Sequence, residues 1–248
     1  MRITPFVIPA EVEIPVKYKE VTMSSDSKIR LEFSEKYDLK HSLAYYTKHN
    51  ESIGRRLSNW REQNIARKAL EIAGNPSSVL DIPCGAGRFW PLLSEMPDRN
   101  IYASDYSFSM IMVAKKLQDS FIVKRIPCFQ ASAFSINMKS DSIDSIFCMR
   151  LFHHIVDREN RMALLKEFKR VTRDTVCLSL WIDGNYKAWR RIRLEARRNR
   201  KGYQNRFVAN SIIIESEFIE TGFEIIGRID FARYYSMWRI YVLRKKRS

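Results

Sequence analysis

Two carboxylates and two glycines carry the densest chemical signal in the chain. Asp81 closes an apolar pair, Val79-Leu80, and runs into Ile-Pro-Cys-Gly-Ala-Gly, which puts Gly85 and Gly87 in a tight turn before an amphipathic stretch. Glycine tolerates positive φ and has no Cβ, so amides of such a turn can face a bound molecule at close range. Asp105 closes the next apolar run, Ile101-Tyr-Ala-Ser, roughly 20 residues on, where nucleotide-binding folds place the acid that takes ribose hydroxyls. Complementing a helix dipole is the competing role for Asp105, and plain turn formation is the competing role for Asp81. A third apolar run, Ile143–Met149, leads into Arg150-Leu-Phe-His153-His154. These imidazoles titrate near neutrality and either one, His154 before His153, could act as a general base. Capping or packing is their alternative.

The elements that must position these groups follow from periodicity. Strands are expected near 78–82, 100–105, 126–131, 143–149 and 175–181, and helices near 88–96, 107–119 and 158–172. Such alternation requires a parallel sheet covered on both faces. It stops after Trp181, where a basic insert spans 183–210. A helix near 211–221, stopped by Gly222, then precedes strands near 223–230 and 237–244. Their short connection makes that pair antiparallel, because parallel strands need a long crossover. Upstream, Pro5, Pro9 and Pro15 mark residues 1–25 as an extended arm. Residues 26–74 read as a helical segment, with a stripe through Ile53, Leu57, Trp60, Ile65, Ala69, Leu70 and Ile72 ending at Gly74. Residues 75–248 form the main domain.

Four stretches, Leu80-Asp-Ile-Pro-Cys-Gly-Ala-Gly87, Ser104-Asp-Tyr-Ser-Phe-Ser-Met110, Asp141-Ser-Ile-Asp144 and Leu151-Phe-His-His-Ile155, occur in that order. In them the chain resembles the class I S-adenosylmethionine-dependent methyltransferases, and within these the branch that includes the quinone-biosynthesis C-methyltransferases. The resemblance implies a Rossmann-like, doubly wound α/β sheet of seven strands with an antiparallel last strand. It implies S-adenosyl-L-methionine as cofactor. Asp81 would reach the amino group of its methionine moiety, Gly85 and Gly87 would give the close backbone approach, and Asp105 with Tyr106 would take the ribose. Ser132 stands where the family carries an acid beside the adenine, and Ala133 would offer its N–H there. Met149 and Arg150 would line the sulfonium side. Pro83 departs from the family pattern, which has glycine at that position, and removes one N–H donor. The 26–74 segment would be a lid, bringing Tyr45 and Tyr46 to the acceptor; packing onto the sheet is their other role.

Composition bounds the partners. The chain has 248 residues, 45% hydrophobic and 29% charged, as an ordinary globular protein has, but its net charge is +15. Such a balance favours an anionic partner: nucleic acid, a phosphorylated glycolipid or a membrane surface. The basic excess peaks in 187–206, where Arg190, Arg191, Arg197 and Arg198 are expected to grip the acceptor; Trp189, Tyr203 and Phe207 interleave with the charges. A solvated helix face is the alternative. Four cysteines without a C-x-x-C pair suggest neither a disulfide framework nor a metal site, which fits a reducing cytoplasm. No run of about 18 apolar residues occurs, so no integral membrane segment is expected and membrane contact would be peripheral. A P-loop is absent, and Trp90 stands where a dinucleotide site would want a third glycine. The expected function is methyl transfer to a small or lipid-linked anionic acceptor of phosphorylated glycan or glycolipid type. The alternatives are an RNA methyltransferase, or a catalytically silent module of the same fold that binds RNA or a protein partner.

Overall fold

The computed structural model describes residues 53–197 and 206–246. The 1–25 arm, Tyr45, Tyr46 and Arg198 lie outside the described residues, as does the side chain of Arg197.

The first helix, α1 (Ile53–Ile72), buries Ile65, Ala66, Ala69 and Leu70, which recur at helical spacing on one face. It stops at Gly74, which takes φ +84 while Asn75 N–H donates back to the Leu70 carbonyl at 2.8 Å. Strand β1 (Ser78–Asp81) leads through the glycine turn into α2 (Trp90–Leu93). This helix is shorter than the expected 88–96, and Pro91 gives the reason: it has no N–H and fits only a helix's first turn. Then come β2 (Asn100–Asp105), α3 (Phe108–Leu117), a further short helix α4 (Ser120–Arg125) and β3 (Cys128–Gln130). Ser107 caps α3, its side chain accepting from Met110 N–H. Strand β4 (Ile143–Cys148), α5 (Arg158–Val171) and β5 (Thr172–Trp181) complete the alternating part.

The basic insert, to which the sequence reading assigned no element, begins with a helix. Helix α6 (Tyr186–Arg197) starts because the Asn185 side chain accepts from Ala188 N–H at 2.9 Å, a cap ahead of the charged run. The insert also leaves and re-enters the fold at one point. Ile182 and Ala209 form a parallel bridge, Asp183 N–H donates to the Ala209 carbonyl, and Ala209 N–H to that of Trp181. Helix α7 (Ser211–Glu220) and strands β6 (Phe223–Asp230) and β7 (Trp238–Lys245) finish the domain.

All seven strands join one sheet in the order β3-β2-β1-β4-β5-β7-β6. The pairs from β3 to β5 are parallel, and β7 is antiparallel to both β5 and β6. Successive strand residues point to opposite faces. Leu80, Ile146, Val176 and Leu243 therefore pack with Leu165 and Phe168 of α5 and Phe218 of α7 on one side. Val79, Phe147, Cys177 and Val242 pack with α1 and with Trp90 and Ala114 on the other. Chain order reverses direction across the sheet between β1 and β4, and the crevice beyond the carboxyl ends of strands at such a point is where open α/β sheets bind ligands.

Candidate active site

The carboxyl ends of β1 to β4 bring Asp81 and its turn, Asp105–Tyr106, Ser132–Ala133 and Met149–Arg150 to this edge. Parallel register sets Asp81 level with Ala103 and Asp105 level with Gln130, so Asp105 stands two residues beyond Asp81.

Asp81 is 1% exposed, and its Oδ2 has no hydrogen-bond partner. Burial drives its pKa well above the usual carboxylate range, and the neighbouring Asp105 charge adds to this. The Trp90 indole faces it, yet its N–H is also buried without a hydrogen bond in good geometry. Asp105 is tied at both oxygens: Oδ2 accepts from Gly85 N–H and Oδ1 from Ser107 N–H, each at 2.8 Å. Burial raises its pKa to about 6, against the lowering effect of those amides. The carboxylate thereby shapes the glycine turn from within.

The two glycines serve different ends. A Cβ on Gly87 (φ +69) would lie 2.8 Å from the Trp90 ring, so this position is closed by packing. A Cβ on Gly85 (φ +53) would meet nothing within 4 Å, so this position is open. Pro83 follows a cis peptide bond, and Cys84 N–H donates to the Ser104 carbonyl. Tyr106 is half-buried and its carbonyl accepts from the Gln130 side chain at 2.8 Å. Ser132 is buried, its hydroxyl accepting from Phe134 N–H at 3.2 Å, and Ala133 is half-buried against the core. Met149 is buried.

The Arg150 guanidinium is anchored on the first helix. Its guanidinium donates to Glu62 of α1 at 2.8 and 2.5 Å, and Arg88, from the end of the glycine turn, donates to the same carboxylate at 2.6 Å. The two arginines bring the Glu62 pKa down to about 2 even though burial opposes this. Arg150 also takes φ +65, and its N–H donates to Ser179 Oγ. The sequence reading missed Glu62. Its signal was there: position 62 lies one turn before Ile65 and Ala66, an acid on an apolar stripe.

His153 and His154 form a short 3₁₀ turn after β4, their ring centroids 4.2 Å apart. The structure places them differently. His153 is buried, stacked on Trp181 at 4.9 Å and edge-on to Trp238, and its Nδ1 has no partner. Burial, with His154, Arg206, Arg150 and Arg191 nearby, lowers its pKa well below the usual value, so this imidazole stays neutral. His154 is half-buried. Arg191 and Arg206 lie over the Trp181 ring at 4.7 and 5.5 Å, and Arg150 over Trp238 at 5.3 Å. Of the insert's candidate arginines, Arg191 thus turns inward, whereas Arg190 is exposed on another face of α6. No cluster of metal-binding side chains occurs among the described residues.

The strand order, the glycine turn after β1 and the acid after β2 define a Rossmann-like fold of the class I methyltransferase type. Residues 79–175 match the family model described as methyltransferase domain. Solved structures agree. Magnesium protoporphyrin IX methyltransferase from Synechocystis PCC 6803, solved with bound SAH, is 16% identical, with a TM-score of 0.60 over 79% of this chain and 88% of that one. A SAM-dependent methyltransferase from Aquifex aeolicus is 18% identical, with a TM-score of 0.58 over 84% and 99%. A methyltransferase in complex with the Trm112 activator of Haloferax volcanii is 12% identical, with a TM-score of 0.58 over 88% and 100%. At such identities the likeness is one of fold. No curated protein matches the sequence.

Proposed function

We propose that the chain transfers a methyl group from S-adenosyl-L-methionine to an anionic acceptor that is small or lipid-linked. The observation that carries the donor is the buried Asp81 carboxyl, whose Oδ2 has no hydrogen-bond partner, together with the open backbone at Gly85. An unsatisfied buried acceptor costs about 1–3 kcal/mol, and a cationic amine is the group that relieves it. Asp105 has lone pairs left after its two amide bonds, and these suit a pair of ribose hydroxyls. Ser132 and Ala133, next to Tyr106 along the edge, suit an adenine. When bound, the sulfonium supplies an already reactive methyl group, so alignment contributes much of the rate.

The acceptor belongs on the β4–β5–β7 side. There Arg150, Arg191 and Arg206 surround the neutral His153 between two indoles. Glu62 is shared between Arg150 and Arg88, Glu195 pairs with Arg191, and Arg206 adds a further cation, so cations outnumber carboxylates and the wall is electropositive and fitted to a phosphate or carboxylate. His154 is the group placed to take a proton from an acceptor hydroxyl or carbon acid, with His153 packed as its support. Tyr45, Tyr46, Arg197 and Arg198 are further acceptor contacts in this reading.

Calorimetry with the donor tests the first half. Asp105→Ala removes charge-assisted hydrogen bonds worth about 1.5–3 kcal/mol each, so affinity should weaken at least about tenfold with the fold intact. Unchanged affinity would overturn the donor assignment. Release of S-adenosylhomocysteine with lipid, small-molecule and RNA fractions then identifies the acceptor class, and release with the RNA fraction alone would replace the proposed one.

A further inference from the structure

We propose that the outer face of α6, together with the turn between β6 and β7, docks on an anionic lipid bilayer surface. This goes beyond methyl transfer and does not depend on it. Ala188, 1% exposed, and the half-buried Arg191 form the side of α6 turned to the body of the protein. Tyr186, Trp189, Ile192 and Leu194 of the same helix are all exposed, with Trp189 at 56%. Exposed Lys187, Arg190 and Arg193 stand among them. The carboxylate of the helix, Glu195, is paired with Arg191 at 2.7 Å and so does not offset these charges.

The turn extends the patch. Tyr186 N–H donates to the Tyr234 carbonyl and Lys187 N–H to that of Tyr235, which fixes the turn against the start of α6. Tyr235 stacks on Tyr186 with ring planes 10° apart, and Tyr234 is 70% exposed. Cations sit over the rings: Lys187 over Tyr235 at 4.9 Å, Arg193 over Trp189 at 5.2 Å and Arg233 over Tyr234 at 4.8 Å.

Water alone gives no reason for this combination. Trp189 and Ile192 stand one turn apart on one flank of the helix, with Arg190 and Arg193 beside them, and a helix so arranged lies in the plane of a membrane interface, its apolar groups entering the acyl boundary. Trp and Tyr favour that depth, and each Lys or Arg near an anionic leaflet adds to the attraction. RNA would satisfy the arginines and could stack on a ring, but Ile192 and Leu194 would gain nothing from a sugar-phosphate backbone. Hydrocarbon satisfies both. No helix among the described residues is long and apolar enough to cross a bilayer, so the contact is peripheral.

Flotation of the full chain with vesicles of equimolar phosphatidylcholine and phosphatidylglycerol is the test. The protein should float with these and stay behind with phosphatidylcholine alone. Trp189→Ala with Ile192→Ser should weaken binding about tenfold or more at unchanged circular dichroism and donor affinity. Arg190→Gln with Arg193→Gln should remove most of the dependence on phosphatidylglycerol. Brominated acyl chains should quench a part of the emission that is lost in Trp189→Phe. Failure to float overturns the proposal. So does binding that survives the Trp189/Ile192 change, or binding to single-stranded RNA that the same change abolishes while vesicle binding persists.

Discussion

Glu62 gives the sharpest test of how the site is braced. Its carboxylate, 6% exposed, joins Arg88 of the glycine turn to Arg150 at the end of β4. Glu62→Gln keeps the shape and removes the charge. The drop from the ordinary 4.5 to about 2 corresponds to roughly 3 kcal/mol of stability at neutral pH, at about 1.4 kcal/mol per unit. Removing one partner of a buried ion pair costs about 3–5 kcal/mol by independent reckoning, so the two agree. The sign follows from a depressed acid: its contribution is complete above about 4.5 and is lost as pH falls through about 2. Urea unfolding at pH 7 should therefore show Glu62→Gln less stable by roughly 3 kcal/mol, the gap shrinking to less than half by pH 3. Donor affinity should fall with it, because both arginines that flank the turn lose their common anchor. Equal stability at pH 7, or a gap that does not change with pH, would refute the bracing role.

Asp105, held up to about 6 by burial, should make donor affinity in calorimetry fall by up to about tenfold per pH unit below that value, as the carboxylate that takes the ribose becomes neutral; a flat profile from pH 7 to 5 would be the contrary result. For turnover, the rate should rise with pH through a single ionisation that His154→Asn abolishes, whereas His153→Asn should keep that ionisation and lose stability instead. Arg191→Gln should raise the acceptor KM several-fold, and its salt dependence should flatten, while Arg190→Gln leaves the KM near the wild-type value, since Arg191 faces Trp181 and Arg190 faces solvent. Steady-state kinetics at two ionic strengths separates them.

Much of the sheet was legible because the parallel strands are short apolar runs, and β1 and β2 are each closed by an acid, Asp81 and Asp105. The last two strands and their direction followed from a connection too short for a crossover. The bounds of helix α6 escaped because nine basic residues between 187 and 206 leave no clear apolar period, and the Asn185 cap that starts the helix lies before them. The placement of the candidate site was legible where position follows motif: Asp81, Gly85 and Asp105 come to one sheet edge, the last two joined by a hydrogen bond. It was not legible where a side chain could turn either way. Arg150 stands next to the crevice in sequence, but a carboxylate 88 residues earlier claims its guanidinium. His153 and His154 are adjacent in sequence and differ in burial only because a 3₁₀ turn points one of them between Trp181 and Trp238.

The bridge between Ile182 and Ala209 has a consequence for how this chain can change. Whatever lies between them departs and returns at one point on the sheet, so the sheet does not depend on its length. Closing such an excursion costs entropy that grows only logarithmically, about 0.6 kcal/mol for each doubling of its length. The insert is therefore an exchangeable cassette. A different loop grafted between Asp183 and Val208 would keep the donor crevice and bring its own acceptor and its own surface, a route by which one scaffold acquires new substrates while its catalytic floor stays fixed.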